Sequence, residues 1–161
     1  MSNRLTSILT FLLAIGLVLG LSAPPVAADD APPTSPTKIV LEPEGNQMKF
    51  AASEFTVEPG QEVRLVFENT ADSPAMIHNV VMLTTSDDAV VKEVGPAGAS
   101  AGASTDYVPD HEAVLAATEV AKPGETVEVT FTAPKEPGAY TYVCTYPGHW
   151  ATMQGTMRVA N

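Results

Sequence analysis

Apolar and polar residues alternate most cleanly in two stretches of the chain. In residues 62–69, EVRLVFEN, Val63, Leu65 and Phe67 point one way and Arg64 and Glu68 the other. Residues 125–133, ETVEVTFTA, repeat the pattern after a Pro123-Gly124 turn. A period of two is that of a strand with one face in a core. Residues 78–83, HNVVML, form a fuller apolar run, as expected of a strand buried on both faces. Shorter runs at 39–41, 48–57, 139–144 and 155–160 complete the set, punctuated by Pro43, Pro59-Gly60 and Pro137-Gly138. Residues 113–118, AVLAAT, fit a strand or a helix. Turn-bounded strands of this kind predict an all-β sandwich or barrel. Residues 86–108 break the pattern. Asp87 and Asp88 read as caps before AVVKEV, while GPAGASAGAST is too rich in Gly, Ala and Ser to pack, which predicts a short helix and then a mobile flap.

The N-terminus reads differently. Residues 1–28 resemble a secretory signal: Arg4 supplies the positive region, residues 8–21 an apolar stretch short for a membrane span, and Val26-Ala27-Ala28 a small-residue cleavage site. An uncleaved anchor is the alternative, because no charge falls between Arg4 and Asp29; Pro24-Pro25 weigh against a continuous helix there. Residues 29–38 hold three prolines and read as an extended linker. The folded domain is then 39–161. Either reading puts it across the cytoplasmic membrane, periplasmic or tethered on the outer side.

Charge and cysteine count narrow the chemistry. A net charge of -11 argues against nucleic acid, which needs clustered Lys and Arg. The acid serves solubility or presents a docking surface to a basic partner. One cysteine cannot form an internal disulfide, so its thiol is a buried passenger, a reactive group or a metal ligand. Cys144 lies in CTYPGHWATM, a loop between two predicted strands that also holds His149, Met153 and the chain's only tryptophan. The spacing is C-x4-H-x3-M, and Pro147-Gly148 bends the loop so that three side chains can converge. His78, at the head of the buried strand, is the available fourth ligand. Thiolate and thioether are soft ligands that select copper, whereas structural zinc sites seldom use Met. Two His and one Cys in a plane with a weak axial Met is the blue-copper arrangement. It predicts one copper per chain, with Cys144 as the strong covalent ligand, His78 and His149 completing the plane and Met153 on the axis. His111, between Asp110 and Glu112, reads as solvated.

These segments resemble those of azurins and auracyanins, small blue copper proteins of the cupredoxin class. CTYPGHWATMQGTMRV looks like their copper loop and MIHNVVML like their first-histidine segment; STDYVPDHEAVLAAT and GETVEVTFTA look like the approach to the loop. The likeness covers roughly residues 46–160. It implies a Greek-key β-sandwich with copper near one end and His78, Cys144, His149 and Met153 as ligands. It also implies that Asn79 ties the two ligand segments together beside the sulfur. Azurins place a glycine before the first histidine, and its carbonyl approaches the copper; here Ile77 stands there, so a contact from its carbonyl is an open question. The family's second histidine sits at the surface, which implies an electron exit and docking patch of His149, Pro147, Trp150 and Met76, unless Trp150 folds inward as packing.

The function implied is electron transfer by a Cu(II)/Cu(I) couple between extracytoplasmic redox proteins met in transient encounters. Copper storage or delivery is the alternative, although delivery proteins expose Met- and His-rich motifs. Three histidines are too few for a multicopper oxidase cluster, so the chain reads as a carrier and not an enzyme.

Overall fold

A computed structural model describes residues 35–161; the expected signal segment 1–28 and most of the expected linker lie outside them. Eight strands form two sheets. They are β1 (Thr37–Leu41), β2 (Glu54–Val57), β3 (Glu62–Glu68), β4 (Val81–Leu83), β5 (Val114–Ala117), β6 (Thr126–Thr132), β7 (Gly138–Val143) and β8 (Gln154–Val159). One sheet runs β1-β3-β6 and the other β2-β8-β7-β4-β5. Strand β1 pairs parallel with β3, and β2 with β8; the remaining pairs are antiparallel. Among the described residues the first strand begins at Thr37, just ahead of the expected start at residue 39, and AVLAAT resolves to strand β5.

The core follows the period-two pattern. Val63, Leu65 and Phe67 are fully buried, while Arg64 reaches across the outer face to Glu128 on β6. Facing them are Met82, Tyr142 and Met157 of the larger sheet, with Phe50 wedged between layers. Phe50 meets Phe67 and Tyr142 edge-on, with centroids 6.0 and 5.0 Å apart. Strand β4 is buried on both faces, as its unbroken apolar run predicts. Met82 enters this main core, while Val81 and Leu83 turn outward into a second cluster.

Helix α1 (Asp88–Ala101) covers that second cluster, and here the expectation fails. The stretch read as an unpackable flap is helical through Ala101, followed by a short 3-10 turn, Ala103–Thr105. Asp87 caps the helix by accepting from the Ala89 N–H at 2.9 Å. Val91 and Val94 then bury against Val81, Leu83 and Val143. Beyond them the helix contains Gly95, Pro96 and Gly98, each a poor helix former, so local propensity cannot hold it. Tertiary packing does, because Gly95 and Gly98 are themselves buried against other elements.

Gly155 on β8 lies opposite Tyr142 on β7, and the tyrosine ring rests where a Cβ would be, 2.1 Å from Cζ. Gly155→Ala therefore forces the ring out of the core and should cost roughly 1–3 kcal/mol. Urea unfolding of the metal-free protein measures this; a midpoint equal to wild type would mean that the ring has free room to move.

Candidate metal centre

Both histidines that matter sit on rigid backbone. His78 precedes β4 and forms an isolated bridge with Ala121, exchanging two main-chain hydrogen bonds of 3.1 and 2.7 Å. Its approach is held by buried Asn69, whose side-chain amide donates to the carbonyls of Met76 (2.7 Å) and Ala121 (2.8 Å). Cys144 ends β7. The loop after it closes on itself: the Cys144 N–H donates to the Met153 carbonyl at 3.0 Å, just as β8 begins. Within the loop, Gly148 takes a positive φ of 85°, and the N–H groups of Thr152 and Met153 both donate to the His149 carbonyl. The bend expected at Pro147-Gly148 is there, and it turns His149 inward.

The result is a compact triangle. Nδ1 of His78 lies 3.1 Å from Nδ1 of His149, and Sγ of Cys144 lies 3.8 and 3.7 Å from the two nitrogens. All three residues are buried, as is Met153, which follows in the same loop. A triangle of these sides has a centre about 2 Å from each corner, close to the bond lengths of about 2.0–2.3 Å that first-row metals make to imidazole nitrogen and thiolate. The donor set therefore fits one ion without moving the backbone. Nε2 of His78 is enclosed with no protein partner among the described residues, so on this ring Nδ1 is the nitrogen that faces the other donors.

Without a cation the cluster resists charge. Burial, aided by the neighbouring His149, pushes the His78 pKa down to about 4, and burial lowers that of His149 as well. Burial pushes the Cys144 thiol up to about 12, against the pull of main-chain hydrogen bonds from Asn79 and Tyr146. Metal binding must supply the charge that makes the thiolate stable there.

Around the triangle Asn79 joins three segments. Its Oδ1 accepts the Thr145 N–H at 2.9 Å, and its Nδ2 donates to Thr145 Oγ1 (2.9 Å) and to the Asp106 carbonyl (2.8 Å). Thr145 Oγ1 donates in turn to the Tyr107 carbonyl at 2.6 Å. Asp106 and Tyr107 both adopt left-handed backbone, with φ of 52° and 58°. That conformation costs about 1–2 kcal/mol per residue. The rings of Tyr107, Tyr146 and His149 touch in sequence, the first pair edge-on and the second tilted, with centroids 4.9 and 5.0 Å apart. The sequence marked Asn79 through its resemblance but gave no signal for Thr145 or Tyr107, whose parts depend on carbonyl direction.

The copper-binding protein model of the plastocyanin/azurin family matches residues 37–160. The chain belongs to this family. Auracyanin-A of Chloroflexus aurantiacus is 39% identical over 127 residues, spanning 78% of this chain and 76% of that one. An azurin of Alcaligenes faecalis is 37% identical over 125 residues, covering 73% and 95%. In three dimensions the chain is similar to auracyanin A, described as a "blue" copper protein, with a TM-score of 0.72 over 78% of this chain and 99% of the other. The two sheets and the helix α1 of the described residues are the cupredoxin fold, and the His-Cys-His triangle with Met153 nearby matches a type 1 copper site. This cupredoxin's cofactor is copper.

The residues expected to border the site distribute themselves unequally. Pro147 is exposed, and Met76 is half-buried beside a cleft of about 390 Å³ shared with Met48 and Thr152. Trp150 is half-buried and packs into the second cluster under α1. Met48, 42% exposed, stands outside any strand on the same cleft, although the sequence places it at the start of an ordinary strand run. His111 is more enclosed than expected: its Nδ1 accepts from the Ala113 N–H, and its Nε2 lies 3.8 Å from Glu93.

Two outcomes test these electrostatics. At pH 7 the metal-free site holds two neutral imidazoles and a thiol, so loading with Cu(II) should release about one proton per chain, from Cys144. Calorimetry in two buffers of different ionisation enthalpy counts it; no release would mean that the thiolate already exists. In the unfolded chain His78 takes up its proton near pH 6.5, in the folded chain only near 4. Metal-free stability should therefore fall as pH drops from about 6.5 to about 4, by up to about 3 kcal/mol from this group. Urea titrations at pH 7 and 4.5 should show the loss in wild type and much less of it in His78→Gln. Equal losses in the two proteins would remove His78 from the account.

Proposed function

We propose that this cupredoxin is a one-electron carrier of the extracytoplasmic space, holding copper through His78 Nδ1, His149 Nδ1, Cys144 Sγ and Met153, and that it is not an enzyme. The observation that carries this reading is the buried triangle of two imidazole nitrogens and one sulfur, already spaced for one ion. Copper bound there supplies a Cu(II)/Cu(I) couple. The protein's part is to keep the donors still. The Cys144–Met153 backbone bond, the His78–Ala121 bridge and the Asn79–Thr145 pair each anchor a different ligand segment to a strand or neighbouring loop. Donors fixed this way need little rearrangement between oxidation states. A closed site of four protein donors also leaves no room for substrate, which favours electron passage over turnover or ready metal release.

His149 is the outermost donor, retaining 5% exposure where the other three have none. We assign the electron exit to it, with Pro147, Met76 and the rim of Trp150 as the docking face and Met48 extending it along the adjoining cleft. An apolar face suits the brief encounters of redox proteins, and the chain's net charge of -11 suits a partner of positive charge. Residues 1–28 would export the domain or tether it, and residues 29–38 would space it from the membrane. An Ile77 carbonyl contact remains part of the same proposal, one residue from His78.

The test is a visible spectrum of the mature protein loaded with Cu(II). An intense thiolate-to-copper band should appear, bleach on reduction, return on oxidation, and be absent in Cys144→Ser. Copper should leave slowly to a chelator. A colourless product would overturn the carrier reading, and a blue protein that loses copper within the mixing time would point to storage or delivery.

A further inference from the structure

Helix α1 touches the copper loop through two glycines, and each contact falls on the residue that follows a proposed ligand. A Cβ at Gly95 would lie 2.4 Å from Cγ and 2.5 Å from Cδ2 of Trp150, next to His149. A Cβ at Gly98 would lie 2.5 Å from Cβ of Thr145, next to Cys144, and 2.6 Å from the Tyr107 carbonyl oxygen. Such distances are far inside van der Waals contact, so a methyl group at either position must displace something. Neither glycine has a positive φ, so backbone freedom does not explain them. Within a helix each costs about 1 kcal/mol relative to alanine, and Pro96 lies between them. What the pair provides is close approach.

We propose that Gly95 and Gly98 are positioning residues for the copper centre, seating α1 directly on the loop and so fixing the backbone at Cys144 and His149. At Gly98 the route is short. Thr145 is hydrogen-bonded to Asn79 and Tyr107, and it is peptide-linked to Cys144, so a push on its Cβ moves the sulfur relative to His78. At Gly95 the helix receives the indole ring, which fills the space above Val81, Leu83 and Val143. The Trp150 carbonyl is tied by Gln154 Nε2 at 2.7 Å, which holds the backbone from which the ring projects, so pressure on a ring seated between α1 and the second cluster passes into the loop between His149 and β8. The inference rests on the ligand assignment, not on the electron-carrier role.

Three single variants test it: Gly95→Ala, Gly98→Ala and, on the exposed side of the same helix, Ser100→Ala. Trp150 is the only tryptophan, so fluorescence of the metal-free protein reports the indole seat directly. Gly95→Ala should shift the emission to longer wavelength. In the copper-loaded protein, both glycine variants should change the thiolate band and shift the balance of Cu(I) over Cu(II) binding at least threefold, about 30 mV at 59 mV per decade. Ser100→Ala should match wild type throughout. Folded glycine variants with lower melting temperature but unchanged band, potential and emission would overturn the proposal, leaving α1 as mere cover. If Gly95→Ala fails to fold, the Trp150→Ala background decides. With the ring gone, adding Gly95→Ala should leave band and potential where Trp150→Ala has them, and a further change would overturn the route through Trp150. A wild-type protein without the blue band would sink the copper ligand assignment, while the emission comparison still judges the seat.

Discussion

Two imidazole nitrogens held 3.1 Å apart in a dry interior, with a sulfur against both, are a contact that the protein must enforce. Burial opposes a proton on either ring, two charged rings would repel, and the thiol cannot ionise without a counter-charge. The surrounding structure reads as a set of answers to that constraint: a bridge at His78, a strand end at Cys144, a glycine bend before His149 and a buried Met153 at the root of β8. Copper relieves what the fold imposes, and this is why a site so costly to assemble can be a stable one once filled.

The sandwich architecture supplies rigidity from two directions. Strand β4 stands between the main core and the cluster beneath α1, so the segment that delivers His78 is gripped on both faces. Asn79 then links that segment to Thr145, across 66 residues of sequence. The strain at Asp106 and Tyr107 belongs to the same arrangement, since left-handed backbone at both positions turns their carbonyls onto Asn79 and Thr145.

Much of this was legible in the sequence, for physical reasons that also mark the limits. The strands were readable because one buried face imposes a period of two, and β4 because two buried faces abolish it. The metal triangle was readable because two of its donors, with Met153, lie in one short loop, leaving His78 as the evident partner at a strand start. The helix was misjudged beyond Val94. Gly, Ala and Ser say nothing by themselves about packing; whether GPAGASAG has a surface to rest on depends on Trp150 and Thr145, some fifty residues away. Thr145 and Tyr107 were invisible for a related reason, because a carbonyl's direction is a property of the folded backbone and not of the residue type. Trp150 was left open between packing and docking, and its ring takes the packing side with a rim to spare.

The hydrogen bond from Cys144 N–H to the Met153 carbonyl has a consequence for how the ligand loop is held. It closes the ligand loop at its base, where β7 hands over to β8, so everything between residues 144 and 153 hangs from a fixed pair of strand ends. Strand register below that clasp is set by the β7–β8 pairing and not by the loop residues above it. The clasp sets where the ten-residue loop starts and stops, while α1, Asn79 and Tyr107 hold it from the side, so any change of loop sequence is felt by the helix as well as by the metal donors.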